Sequence, residues 1–314
     1  MRKEFIATLA DQNNIEQTDL LEKDLILHQI LTDLSKTEFF HENFAFKGGT
    51  CLTKCYLGYY RFSEDIDFTW KNQTVFEGKS QKQIRKNLSN TIVKTGAIFE
   101  TIANNRGLDF KYAKQNRRYV ELGGSNKICT FKMWYTPHNF NTESFVKVQM
   151  NFVEKLYFTL QKGLLNALPC KKSDELTFLF PEYTDYFQPI SLYVYDTREI
   201  LCEKVRSTLT RKGFKARDFL DAYLLCQKFN LRLDDLLEVV VGKICFTLGM
   251  YQKYREHFKA KKNSSMIESF MWDKEEKFLL QKIDEEAFKV FLVEFNMFLK
   301  KVIEKIPPDC LKTS

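Results

Sequence analysis

Four histidines and eight cysteines without one Cys-x-x-Cys spacing leave no zinc cluster to be read from this chain. The cysteines stand at 51, 55, 129, 170, 202, 226, 245 and 310; Cys51 and Cys55, four apart on an expected helix, read as packing. Met1-Arg2-Lys3-Glu4 runs into polar sequence with no apolar core or small-residue cleavage site, so no signal peptide is expected. No apolar run approaches the length of a membrane span. The phosphate loop Gly-x-x-x-x-Gly-Lys-Ser/Thr is missing too, which argues against a kinase of that kind. Neither sign of charge dominates: 48 Lys plus Arg against 41 Asp plus Glu leaves +7. That excess permits a nucleotide or nucleic-acid partner without demanding one. The expectation is a cytoplasmic protein of a reducing compartment with no membrane partner.

What is present is ample material for a core. Of 314 residues, 44% are hydrophobic and 28% charged, which is a globular composition with room for one large or two ordinary domains.

The chain is organised around Phe46-Lys47-Gly48-Gly49-Thr50-Cys51-Leu52-Thr53-Lys54 and the following Arg61-Phe62-Ser63-Glu64-Asp65-Ile66-Asp67-Phe68. The pattern reads as a strand ending in two glycines, a helix starting on a hydroxyl, and a second strand bearing two acids. Glycines allow a sharp turn and a close backbone approach to a ligand. Thr50 is expected where free N–H groups of the new helix point outward, an end suited to phosphate. Asp65 and Asp67 are two apart, so on a strand both carboxylates leave one face, roughly 6–7 Å apart along the chain. Paired hard oxygen donors beside a phosphate cradle suit Mg²⁺ (or Mn²⁺) carrying a nucleotide triphosphate (NTP). Lys54, one α-helical turn after Thr50, either shares the face aimed at the phosphates or is a solvated helix lysine. Arg61 and Ser63 precede the acidic strand, where capping and loop hydrogen bonding are open to them.

Elsewhere the periodicity predicts a polar lead-in over 1–20, a helix over 20–34 with His28 at its surface or in packing, and a helix within 71–106. Short strands are expected at 109–113, 117–122, 128–135, 144–152 and 156–160, in an antiparallel-looking sheet extending the one with Asp65 and Asp67. Pro169, Pro181 and Pro189, with the turn Lys171-Lys172-Ser173-Asp174, mark irregular structure before a boundary near 190–196. Beyond it, helices are expected from a cap at Asp196 or Thr197, over 216–229, and near 233–258, 264–283 and 285–305. Phe270, Trp272, Phe278, Phe288 and Phe291 read as core, and Lys259-Ala260-Lys261-Lys262 as a solvated turn or part of an RNA path. Lys204 interrupts an apolar helix face, so it snorkels or meets an anion. Arg211, Lys212, Lys215 and Arg217 cluster around Gly213 as a nucleotide or RNA contact, or as a plain charged loop. Asp218 and Asp221 share a helix face, with an ion network involving Lys204, Arg211 or Arg217 weighed against direct chemistry.

The motif Phe46-Lys-Gly-Gly-Thr-x-Leu-x-Lys54 with Arg61-Phe-Ser-x-Asp65-Ile-Asp67-Phe68 resembles the signature of AbiEii/AbiGii-type nucleotidyltransferases. These belong to the polymerase-beta-like nucleotidyltransferase superfamily, and many are toxins of toxin–antitoxin or abortive-infection systems. The likeness takes in Leu21-Glu22-Lys23-Asp24, Glu199-Ile-Leu-x-Glu203-Lys204 and Arg217-Asp218-x-x-Asp221. It implies an α+β protein: a nucleotidyltransferase core with N-terminal helices over 1–195, and a helical domain over 196–314 closing the active cleft. It implies metal on Asp65 and Asp67, and triphosphate on Gly48, Gly49 and Thr50, with Lys54, Arg61, Ser63 and Arg211 as further contacts or braces. Lys204 is then a cation for the triphosphate and Asp218 an acid near the acceptor hydroxyl. RNA, especially the tRNA 3′ end, is the implied acceptor, and a cognate antitoxin the implied protein partner.

One departure stands out. Superfamily members commonly carry a third carboxylate on a neighbouring strand, and in Val146-Lys147-Val148-Gln149-Met150-Asn151 that position is Gln149. An amide neither activates a hydroxyl nor holds a second metal as an acid does. Glu121 and Glu154 are the other acids to consider. Protein nucleotidylation, and a nucleotide-binding module with little turnover, remain as alternative readings.

Overall fold

The computed structural model describes residues 3–139, 141–171, 173–262 and 278–312. It divides into two compact units, Met1–Glu154 with Leu160–Val194, and Lys155–Thr159 with Tyr195–Ser314.

The first unit opens with helices α1 (Lys3–Asn13), α2 (Thr18–Ser35) and α3 (Glu38–Asn43). The expected polar lead-in is thus corrected: Phe5, Ile6, Leu9 and Ala10 recur on one helix face and are buried, with Phe5 stacked on Tyr183. Strand β1 (Phe44–Lys47) then enters a short helix α4 (Gly48–Cys51) that widens into a π-helical turn over Leu52–Leu57. The acidic strand β2 (Asp65–Trp70) and the long helix α5 (Gln81–Arg106) follow. Helix α5 starts on a reciprocal capping box between Ser80 and Gln83 and ends on left-handed Gly107. The strands after it are β3 (Val120–Gly123), β4 (Ile128–Tyr135), β5 (Ser144–Asn151) and β6 (Gln161–Leu165); α6 (Ser173–Leu179) and β7 (Ile190–Val194) complete the unit.

The seven strands form one sheet in the order β3-β4-β5-β2-β1-β7-β6. It is mixed where an antiparallel extension was expected: β5 joins β2 in parallel, as β7 joins β1, while the outer pairs are antiparallel. Strand β7 replaces the irregular structure expected near Pro189; the alternation of Ile190, Leu192 and Val194, all buried, was its signal. The expected strand 156–160 is shifted, because Lys155–Thr159 leaves the sheet for the second unit and pairing resumes at Gln161.

Register decides which side chains share a face. Phe46, Phe68 and Met150 sit side by side on β1, β2 and β5, and contacts between the rings of Phe40, Phe44, Phe68, Phe99 and Phe131 carry this apolar face into the core. The opposite face carries Lys47, Asp67, Gln149, Thr130 and Glu121 in one row, and Asp65, Lys147 and Lys132 in the next.

The second unit is helical: α7 (Thr197–Thr210), α8 (Ala216–Phe229), α9 (Leu237–Met250), α10 (Gln252–Lys262) and α11 (Glu285–Lys305). Asp196 caps α7 by accepting from the Arg198 N–H. The single helix expected over 233–258 is broken at Tyr251, and the described end of the one expected over 264–283 is not α-helical from 278 on. Phe288 and Phe291 are buried as expected, whereas Phe270 and Trp272 lie outside the described residues. Lys261 is not in a solvated turn: it is buried at the end of α10, donating to the carbonyls of Thr208 and Gly213. Burial, then the charge of Arg211, pushes its ammonium down to about 8. The segment Lys155–Thr159 is tied to this unit by Glu199, which accepts from the N–H groups of Tyr157 and Phe158 at 2.9 and 2.8 Å. Glu199 is itself paired with buried Lys243 at 2.5 Å.

The expected strand 109–113 reduces to one bridge, Asp109 with Trp134, because the chain then lays the Tyr112 ring across α5 at Gly96. A Cβ at Gly96 would overlap that ring. Alanine at a helix-interior glycine ordinarily adds up to about 1 kcal/mol, but overpacking costs about 1–3 kcal/mol. Gly96→Ala is therefore expected to lower the urea midpoint; a raised midpoint would show that the ring is not fixed over the helix.

Candidate active site

The turn between β1 and α4 is built by exclusion. Gly48 has φ +82°, which disfavours any residue with a side chain, and a Cβ there would also strike the Asp67 carboxylate. A Cβ at Gly49 would come within 2.6 Å of Arg61 Nη2 and 3.1 Å of Ser63 Oγ. The two glycines thus bring the backbone down onto the acid and the arginine that follow them in sequence.

Thr50 takes part differently from expectation. The helix starts two residues earlier, at Gly48, and the Thr50 side chain is buried, donating to the Asp65 carbonyl and hydrogen-bonded to the Ser63 hydroxyl at 2.8 Å. It ties the turn to the start of β2 instead of capping a helix end. Arg61 is buried as well; its Nη1 donates to the Phe62 carbonyl at 2.8 Å.

Lys54 is a correction. Its ammonium does not face the glycine turn but is fully buried against Asp24 of α2, 2.9 Å away, with the Tyr59 hydroxyl bonded to both. The expectation assumed α-helical spacing from Thr50. The wider π turn from Leu52 moves Lys54 off that row and toward α2. Burial draws its ammonium below the ordinary value while Asp24 pulls it back up. His28 lies one turn along α2, buried beside Tyr186, its imidazole held neutral by burial and by the Lys54 charge.

On the polar face of the sheet, Asp65 and Asp67 alternate with buried Ile66 and Phe68. Lys147 of β5 stands in register with Asp65 and donates to its Oδ2 at 2.8 Å. Gln149 stands in register with Asp67, so an amide lies beside the two acids. Neither alternative acid is uncommitted: Glu121 pairs with Lys132 at 2.6 Å, and Glu154 accepts from Lys47 and Asn151, each at 3.3 Å. Among the described residues no group of three or more His, Cys, Asp or Glu side chains could hold a metal. Two carboxylates with a neighbouring amide oxygen still suit Mg²⁺, which keeps several waters and takes one or two carboxylates plus substrate phosphates.

The second unit brings Lys204, Arg211, Asp218 and Asp221 together. Lys204 lies 2.8 Å from Asp218 and 2.5 Å from Asp221, and Arg211 2.6 Å from Asp218. This is the ion network weighed from the sequence. Burial would raise the Asp218 carboxyl, but Lys204 and Arg211 outweigh it and hold the group below the usual carboxylate value.

Sequence reasoning missed Lys47, Lys147, Asp24 and Tyr59 as neighbours of these motifs. Lys147 had a signal, since it alternates with Val146 and Val148 on the same side as Gln149. Tyr59 had none, and although Asp24 closes the Leu21–Asp24 stretch of the resemblance, its pairing with Lys54 cannot be read from spacing.

A mixed sheet whose glycine turn closes onto a two-acid strand, in a chain continuing into a helical unit, is consistent with a nucleotidyltransferase fold. The model of the family "Nucleotidyl transferase AbiEii toxin, Type IV TA system" matches residues 29–308 of the 314. The chain belongs to that family, whose members are toxins of toxin–antitoxin pairs; membership implies an NTP substrate and a cognate antitoxin. Among curated protein sequences none matches it significantly. Of solved structures, JHP933 from Helicobacter pylori is similar at 14% identity and TM-score 0.42, over 91% of this chain and 94% of that one. A second H. pylori structure is similar at 15% identity and TM-score 0.42, over 92% and 98%. These overlays are too loose to carry a functional argument.

Two predictions follow from the pairs. Lys54→Met strands a buried carboxylate and is expected to cost about 3–5 kcal/mol by urea denaturation. The Asp24→Asn/Lys54→Met double variant should lose less than the two single losses added; strict additivity would mean the groups are not coupled. For Asp218 the folded value is depressed, so its contribution is complete above the unfolded value of about 3.9 and is lost as pH falls below it. Asp218→Asn should therefore flatten the fall in stability below about pH 4 relative to wild type, and unchanged acid sensitivity would contradict the pairing.

Proposed function

We propose that the protein transfers a nucleotidyl group from an NTP to an acceptor hydroxyl, with RNA, in particular the tRNA 3′ end, as acceptor. The observation that supports this most is the closure of the Gly48-Gly49 turn onto Asp67, which sets a side-chain-free backbone beside two carboxylates on one sheet face. In the reaction the acceptor oxygen forms a bond to the α-phosphorus and pyrophosphate departs. Asp65 and Asp67 would hold a divalent cation, Mg²⁺ or Mn²⁺, whose chemistry there is to neutralise triphosphate charge.

The chain's own groups serve around that point. The glycines allow the triphosphate to approach the backbone, Thr50 and Ser63 fix the turn to β2, and Arg61 supports it from below. The same reading gives Lys204 the role of offsetting developing charge and Asp218 a role toward the acceptor hydroxyl. Both are members of an ion network, so substitutions there would affect the stability of the helical unit along with activity.

The test is incubation of the purified protein with total cellular RNA, Mg²⁺ and each labelled NTP in turn, beside the Asp65→Ala/Asp67→Ala variant. Label is expected in a discrete RNA band, reduced by about 100-fold or more in the variant. Full transfer by the variant would sink the proposal. Label in a protein instead of RNA would redirect it to protein nucleotidylation.

A further inference from the structure

Lys147 carries no role in the sequence reading or in the proposed reaction, yet its ammonium is the group seated on Asp65. The contact is 2.8 Å, and both side chains remain about one-third exposed, at 31% and 33%. Its neighbour across the next strand, Lys132, is engaged by Glu121, and Lys47 by Glu154. Gln149 adds no charge. A face with three lysines against four carboxylates is a poor collector of a divalent cation while Lys147 stays where it is, because cation and ammonium need the same oxygens.

We propose that Lys147 is an exchangeable counter-ion of Asp65, occupying it until the cation arrives together with the triphosphate. This rests on the reading of Asp65 and Asp67 as the cation's holders. The exchange balances in charge: the cation takes the Asp65 carboxylate, and the displaced ammonium meets the anionic phosphate oxygens that came with it. No covalent bond changes. The long, flexible lysine stem permits the swing, and a pair one-third exposed is inexpensive to open beside a sealed one. The consequence is ordered entry, in which the metal–nucleotide complex binds well and the metal alone binds poorly. Lys147 is in this sense a positioning residue that acts through Asp65.

The experiment is titration of the full-length protein with MnCl₂ in the absence of nucleotide, reading the free-ion electron paramagnetic resonance signal. Wild type should bind Mn²⁺ weakly. Lys147→Gln should bind it about tenfold more tightly, the size expected from removing one positive charge a few ångström away. Lys147→Thr, a good strand residue, is a second neutral variant should the first fold poorly. Lys147→Arg should behave as wild type. Mn²⁺ affinity equal to or below wild type in folded neutral variants overturns the proposal. The Asp65→Asn/Asp67→Asn protein separates the two failures. Loss of Mn²⁺ binding there with no gain in Lys147→Gln defeats the counter-ion alone, whereas retained binding defeats the assignment of the acids and the counter-ion with it.

Discussion

The antiparallel register that sets Lys47 opposite Asp67 is the constraint on which the rest of the first unit depends. It places Gly48, the next residue, directly over the acid, where its left-handed backbone and lack of a side chain are both required. A slip of one residue would turn Asp65 and Asp67 into the aromatic core and Ile66 and Phe68 out of it, exchanging two charges for two apolar side chains. The register is therefore protected by the hydrophobic effect on one face and by the acids on the other. Hydroxyl contacts from Thr50 to Ser63 and to the Asp65 carbonyl then close the loop between turn and strand.

Much of this was legible because strand and helix periods are local. The alternation Asp65-Ile66-Asp67-Phe68 announced one acidic and one buried face, and the alternation in β5 announced a polar side on which the family resemblance pointed to Gln149. What could not be read was which residue of β5 meets which residue of β2, since register arises from pairing between strands far apart in sequence. That is why Lys147, two residues before Gln149 on the same side, was passed over. Strand β7 escaped for a related reason: its alternation is short, and the prolines before it suggested irregular chain.

Lys54 shows a different limit. Its spacing from Thr50 is that of an α-helical turn, and on that assumption it belongs with the phosphates. The π turn over Leu52–Leu57 breaks the assumption, and no residue type there signals it. Once the row is displaced, the buried Asp24 on α2 settles where the ammonium goes, because an unpaired charge in the interior costs several kcal/mol. The lysine of the motif thereby becomes part of the frame that carries the glycine turn.

The ion pairs sort by what it costs to open them. Asp24 with Lys54 and Glu199 with Lys243 are sealed, each partner at most 2% exposed, and breaking such a pair costs about 3–5 kcal/mol. These hold α2 to the turn in one unit and Lys155–Thr159 to the helices in the other. Asp65 with Lys147 is one-third exposed, and opening a solvent-exposed pair costs about 0–1 kcal/mol. A charged ligand can displace a partner only where that cost is small beside its own binding. The sealed pairs cannot be part of an exchange on these grounds, whereas the Asp65–Lys147 pair, one-third exposed on the acidic face of the sheet, can, and that difference is what the proposed exchange rests on.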